Sequence, residues 1–185
     1  MLSRIFQQFV YLKDDLLRWR PNSLRMFFYN IFEQGVWAVI FYRLGRALYL
    51  INIPVLRIVL RLAAFILHKI VHIILGVSLN PVTDIGPGLY IGHTGALIIH
   101  PHARIGRNLN IGTGVIIGER GQGKGGYPVI KDDVFIGVGA KVLGDITIGN
   151  RARIGANAVV LKDVPDGGVA VGIPARIISR EENKE

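Results

Sequence analysis

"IKDDVFIGVGAKVLGDITIGNRARIGANAVV", residues 130–160, places an aliphatic side chain at Ile130, Ile136, Val142, Ile148, Ile154 and Val160, an interval of six throughout. Six is the period neither of an amphipathic helix nor of a half-buried strand. It is a signature of a parallel β-helix, in which short strands form flat walls, each coil stacks on the one before, and the aliphatic residue fills a narrow prism. Glycines and small residues such as Ala158 suit the tight corners between walls.

Towards the N-terminus the same pattern runs through Ile117, Ile111, Ile105 and Ile99, then Ile91, Ile85 and Leu79. Thirteen hexads, three to a coil, predict a little over four coils. Two steps are irregular: eight residues from Ile91 to Ile99, and thirteen from Ile117 to Ile130. A solenoid accommodates inserted residues as outward excursions, and repeat folds commonly place their sites there. The longer step contains "GERGQGKGGYPV", with five glycines, Arg120 and Lys124, and reads as an extruded loop over about 119–127.

Upstream of Gly76 the period becomes helical, as in "FFYNIFEQGVWAVIFYRLGRALYLI" (27–51), with Pro21 and Pro54 near helix starts. Three or four helices are expected. The predicted class is α+β: an α-helical domain over 1–76, then a β-helix over 77–185 that ends in a C-terminal tail.

The charge follows this division. Residues 1–76 hold ten Lys/Arg against three Asp/Glu, a balance of +7 out of the chain's +9. Such a basic half suits an anionic partner. Nucleic acid is disfavoured, because the basic residues are set among helical aliphatics with no recognised nucleic-acid motif. The segment 51–79 is apolar enough to raise a membrane question. Arg57, Arg61, His68 and His72 form one stripe on a helix, within about 60° at 100° per residue. Three readings stay open: an interfacial helix floating that stripe at anionic headgroups, a helix packed inside the protein or an oligomer, and a span. The opening "MLSRIFQQFVYLKDDLLRWR" has charges where a signal peptide would be apolar, so the start reads as mature sequence.

The chain contains no cysteine, which removes disulfides, thiolate nucleophiles and Cys-based zinc sites and suits a reducing compartment; the cytoplasm is expected. Three of the five histidines, His93, His100 and His102, fall in "LYIGHTGALIIHPHARIG" (89–106). His100 and His102 stand two apart, a spacing that could hold a metal, but two neutral ligands without carboxylate or thiolate company make a weak site. No metal is expected, and they read as solvated strand ends near an acceptor.

The hexads, "IGHTG", the glycine-rich loop ending in Tyr127-Pro128, "GVGAKVLGDITIG" and the closing "VVLKDVPDGGVAVGIPARII" resemble left-handed β-helix acyltransferases of the serine acetyltransferase superfamily over roughly residues 77–178. A weaker likeness extends forward to "AVIFYRLGRAL". The resemblance implies an acetyl-CoA-dependent O-acetyltransferase that assembles as a homotrimer, with a hexamer as the other possibility. It implies His93 as the base that takes the acceptor's hydroxyl proton, a role suited to an imidazole of reference pKa about 6.5. With no cysteine, direct attack on the thioester is the expected course.

Two branches of the superfamily compete for the acceptor. Serine acetyltransferases carry Asp-His-x-x-Gly and a loop ending Arg-His-Pro; here the positions read Gly92-His93-Thr94-Gly95 and Gly126-Tyr127-Pro128. Their acid fifteen residues before the histidine is Ser78 here, which leaves a water, a backbone carbonyl or another acid such as Asp84 to orient His93, and Arg20 precedes Pro21 where they carry Asp before Pro. The loop aligns without gaps to exopolysaccharide acetyltransferases of the colanic acid type. The expected acceptor is therefore a saccharide hydroxyl in polysaccharide biosynthesis, either on a small molecule or on a lipid-linked sugar reached at the inner face of the membrane, with serine as the alternative and a non-catalytic structural solenoid as the second. Tyr127 and Arg120 are the acceptor-binding candidates. By resemblance acetyl-CoA lies between adjacent solenoids, where the amides of Gly139 and Ala140 receive its pantetheine arm and Lys141 and Arg176 meet phosphate.

Overall fold

The computed structural model describes residues 2–19, 23, 30, 32–121 and 125–178; Arg20, Pro21, Lys124 and the tail beyond 178 lie outside the described residues. Three helices among them, α1 (Leu2–Leu17), α2 (Gln34–Leu50) and α3 (Leu56–Leu75), precede a solenoid of fifteen short strands. Wall A stacks β1 (Val77–Leu79), β4 (Leu97–Ile99), β7 (Ile116–Gly118), β10 (Lys141–Leu143) and β13 (Val159–Val160). Wall B stacks β2 (Asp84–Ile85), β5 (Arg104–Ile105), β8 (Val129–Ile130) and β11 (Thr147–Ile148). Wall C stacks β3 (Tyr90–Ile91), β6 (Asn110–Ile111), β9 (Phe135–Ile136), β12 (Arg153–Ile154) and β14 (Val169–Val171), closed by β15 (Arg176–Ile178) running antiparallel to β14.

All other pairs are parallel and stack hexad residue on hexad residue, as in Ile85, Ile105 and Ile130 on wall B and Ile91, Ile111 and Ile136 on wall C. Every one of the thirteen hexad aliphatics is buried. Each is worth about 1.5–3 kcal/mol of transfer free energy, so the column dominates the solenoid's stability. The coils number five, not a little over four. The fifth consists of β13, a bridge from Ile148 to Val164, and β14. Val164 and Ala170 keep the inward positions filled through "KDVPDGGVAV", where the Ile-Gly signal lapses.

A stacked coil leaves its outer backbone groups unpaired at the first turn, and terminal repeats need covering. Here the cover is α2. Arg43 donates to the carbonyls of Ile85 (2.7 Å) and Gly86 (2.5 Å), Arg46 to those of Pro81 (2.9 Å) and Val82 (2.8 Å), and the Tyr42 hydroxyl to that of Thr83 (2.8 Å). Arg18, just past α1, takes the Gly88 carbonyl (2.8 Å). Asp15 on α1 accepts the Leu89 amide (2.7 Å) and pairs with Arg43 Nε at 2.7 Å, with the two side chains 0% and 1% exposed. Burial raises the Asp15 carboxyl above the usual carboxylate range against the pull of Arg43 and the Leu89 amide. Gly35 permits the close approach of α2: a Cβ there would stand 2.0 Å from the Ile91 carbonyl oxygen.

Helix α3 ends at Gly76, left-handed at φ 65°, whose N–H returns to the His72 carbonyl at 3.0 Å; β1 begins at the next residue. Its polar stripe is turned inward only in part. His68 is buried beside Ala64 and Val71, the Arg61 guanidinium lies 4.9 Å over the Tyr49 ring, and Arg57 donates to Asn52 at 3.4 Å. Of the four stripe residues His68 is buried and His72 half-buried, while Arg57 and Arg61 remain exposed.

Candidate active site

The eight-residue step resolves into a corner over residues 92–96, between β3 and β4, two residues longer than the matching corner between β6 and β7. His93 projects from it, exposed. The corner is fixed on both sides of that histidine. Thr94 Oγ1 bonds to the Gln34 side chain at the start of α2, and Thr113 Oγ1 donates to the carbonyls of Gly95 (2.7 Å) and Thr94 (3.1 Å). Gly76 at the end of α3 backs the turn, since a Cβ on it would sit 3.1 Å from Gly95 Cα. An imidazole with a rigid backbone and an open ring is suited to general-base work. Among the described residues none bonds the His93 side chain. Asp84 does not orient it: that carboxylate lies on wall B, paired with Arg46 at 3.1 Å. Ser78 sits half-buried on wall A beside Ile98.

Above His93 the same edge of the prism carries Thr113–Gly114, then Val138–Gly139, then Asn157, joined by Gly114 N–H to Gly95 (2.9 Å), Gly139 N–H to Thr113 (2.8 Å) and Asn157 N–H to Val138 (2.8 Å). Both amides expected to receive a pantetheine arm are therefore engaged: Gly139 as stated, and Ala140, which is fully buried, to the Gly137 carbonyl at 3.2 Å. Corner amides in a solenoid close the next coil, so few remain for a ligand. Lys141 Nζ donates to the Gly114 (2.8 Å) and Gly139 (2.7 Å) carbonyls, which leaves one of its three protons for a further acceptor. Val138 and Arg176 are exposed, Arg176 opposite Val171 at the top of wall C.

Tyr127 and Arg120 stand on a different edge, between walls A and B, so one chain does not bring them together with His93. The Tyr127 ring stacks on His100 at 4.2 Å and 15°, with His102 5.0 Å away and the His102 N–H donating to His100 Nδ1 at 3.2 Å. The two histidines occupy a corner just after β4, not strand ends. Burial lowers the His100 pKa, helped by His102 and opposed by Glu119. His102 and Tyr127 are related by one coil plus the inserted loop, the same offset as Ile105 to Ile130. That register is the signal by which the sequence alone could have paired them. Among the described residues no three metal-ligating groups converge.

Residues 127–162 match the bacterial transferase hexapeptide (six repeats) family. The chain is 36% identical to the serine acetyltransferase of Bacillus subtilis, over 92% of its own length and 76% of the relative's. It is 42% identical to that of Bacillus pumilus over 65% of its length, and spans 56% of that relative. The structure of serine acetyltransferase from Neisseria gonorrhoeae in complex with serine superposes with a TM-score of 0.80 at 29% identity, covering 94% of this chain and 70% of that one. These relatives overturn the expected kinship with exopolysaccharide enzymes and the saccharide acceptor. The ungapped loop and Tyr127 had favoured that branch, but they are local features, whereas the likeness to serine acetyltransferases runs through helices and solenoid together.

Proposed function

Since the chain belongs to the serine acetyltransferase family, we propose that it transfers the acetyl group of acetyl-CoA to the side-chain hydroxyl of serine. His93 accepts the hydroxyl proton as the oxygen attacks the thioester carbonyl. The C–S bond then breaks, the acetyl group stays on oxygen, and the imidazolium returns its proton to the departing thiolate. The observation that carries this reading is the exposed His93 on a corner pinned by Gln34, Thr113 and Gly76. Acetyl-CoA lies along the edge above it, with Lys141 and Arg176 towards its phosphates. Tyr127 and Arg120 reach the acceptor from a neighbouring copy in a homotrimer, a head-to-tail contact that a threefold axis closes. The reaction is placed in the cytoplasm, where a cysteine-free chain and a thiol product are compatible.

Release of free CoA thiol with L-serine, compared with sugar acceptors, tests the proposal. The expected result is serine-dependent release that falls about 10²–10⁴-fold in His93→Ala while acetyl-CoA binding persists. Folded protein that binds acetyl-CoA yet releases no thiol with serine would refute it.

A further inference from the structure

Tyr127 ends the extruded loop behind two glycines in left-handed backbone, Gly125 at φ 74° and Gly126 at φ 51°. The chain is caught again at Pro128, which is buried and whose carbonyl accepts the Arg104 N–H at 3.1 Å. Neither feature fixes the direction of the tyrosine side chain. No hydrogen bond among the described residues holds its hydroxyl, so the ring is aimed by what it lies on. That surface is His100, nearly parallel to it at 15° with 4.2 Å between centroids. Aromatic pairs of this kind add directional stability beyond the area they bury.

The solenoid register leaves room for this stack. Ile99 pairs with Ile117 on wall A, so the residue one coil on from His100 is Gly118, and a Cβ there would lie 3.7 Å from the His100 Cβ. Because Gly118 puts no side chain over the imidazole, a face of that ring stays free for Tyr127. The imidazole is itself held. Its Nδ1 accepts the His102 N–H at 3.2 Å, which a proton on Nδ1 would forbid, so the neutral ring carries its proton on Nε2. His102 closes the cluster from the side, its ring 5.5 Å from His100 and 5.0 Å from Tyr127. A rigid corner of one coil thus supports a side chain that the glycine-rich loop leaves free to turn.

We propose that His100 is a positioning residue of the acceptor site, which acts by stacking against Tyr127 and directing its hydroxyl to the acceptor. The inference rests on the acetyl-transfer reading, in which Tyr127 reaches serine. Full-length His100→Ala, His100→Phe, Tyr127→Phe and His100→Ala/Tyr127→Phe are assayed for release of CoA thiol over a range of L-serine, their fold checked by circular dichroism. In His100→Ala the KM for serine is expected to rise about three- to tenfold, with kcat and the KM for acetyl-CoA within about twofold of wild type. His100→Phe keeps a flat ring against Tyr127 and is expected to restore the serine KM. Tyr127→Phe keeps the stack without the hydroxyl and is expected to raise it. Adding His100→Ala to Tyr127→Phe is expected to change little more, because no hydroxyl is left to direct. A serine KM unmoved by His100→Ala overturns the proposal, as does a Tyr127→Phe variant that behaves as wild type. So does a His100→Ala effect that His100→Phe fails to reverse, or that persists in full beside Tyr127→Phe. Wild-type protein that releases no thiol with serine is the separate result that refutes the acetyl-transfer reading, and the proposal with it.

Discussion

His68 shows what one side chain's surroundings do to its chemistry. It lies buried between α2 and α3 with Nδ1 unpartnered. Burial lowers its pKa below that of a free imidazole, Lys69 and His72 push the same way, and the Leu79 carbonyl opposes them. The unfolded chain therefore takes up a proton before the folded one does. Below about pH 6.5 protonation favours the unfolded state, and stability falls until the folded-state pKa is passed. His68→Leu is expected to lose less stability than wild type when urea midpoints are compared at about pH 7.5 and pH 5.5. At this scale the sequence was a partial guide. His68 was visible on a helical stripe, but which members of that stripe meet solvent and which meet protein no periodicity encodes. His93 stood out through its motif. The amides of Gly139 and Ala140 misled, because a sequence shows where a corner is and not which groups close the next coil.

Among the elements, the solenoid was the easiest to read and its cover the hardest. An Ile every six residues has one structural explanation, and the strands followed it. Asp15 and Arg43, by contrast, look like surface charge on two amphipathic helices, and nothing in their spacing says that both are buried at the mouth of the prism. Removing one member leaves the other charge unanswered. Arg43→Met is expected to cost about 3–5 kcal/mol in chemical denaturation, and Asp15→Leu/Arg43→Met to recover most of that loss. The double variant still lacks the donors to Ile85 and Gly86, so its recovery should stop short of wild type. Full additivity of the two single substitutions would show that the pair is not coupled.

In the whole molecule, His93 and the Tyr127–Arg120 corner flank wall A from opposite edges. If neighbouring copies complete one site, chains carrying His93→Ala and chains carrying Tyr127→Ala should complement each other. Every mixed trimer of the two inactive parents contains one intact pairing out of three, so an assembly purified through both tags is expected to show about a third of wild-type turnover. Coexpression with differently tagged chains and assay of the doubly purified assembly measures it; no recovery would place the whole site within one chain.

The capped first coil has one more consequence, for how the solenoid ends. Its arginines and Tyr42 occupy the carbonyl row along which another coil would otherwise grow, and β15 reverses direction at the far end. A chain stripped of α1 and α2 would keep its isoleucine column but offer a bare strand edge, a template on which successive molecules could stack into filaments. The helical layer thus sets the length of the column and keeps it from seeding a polymer.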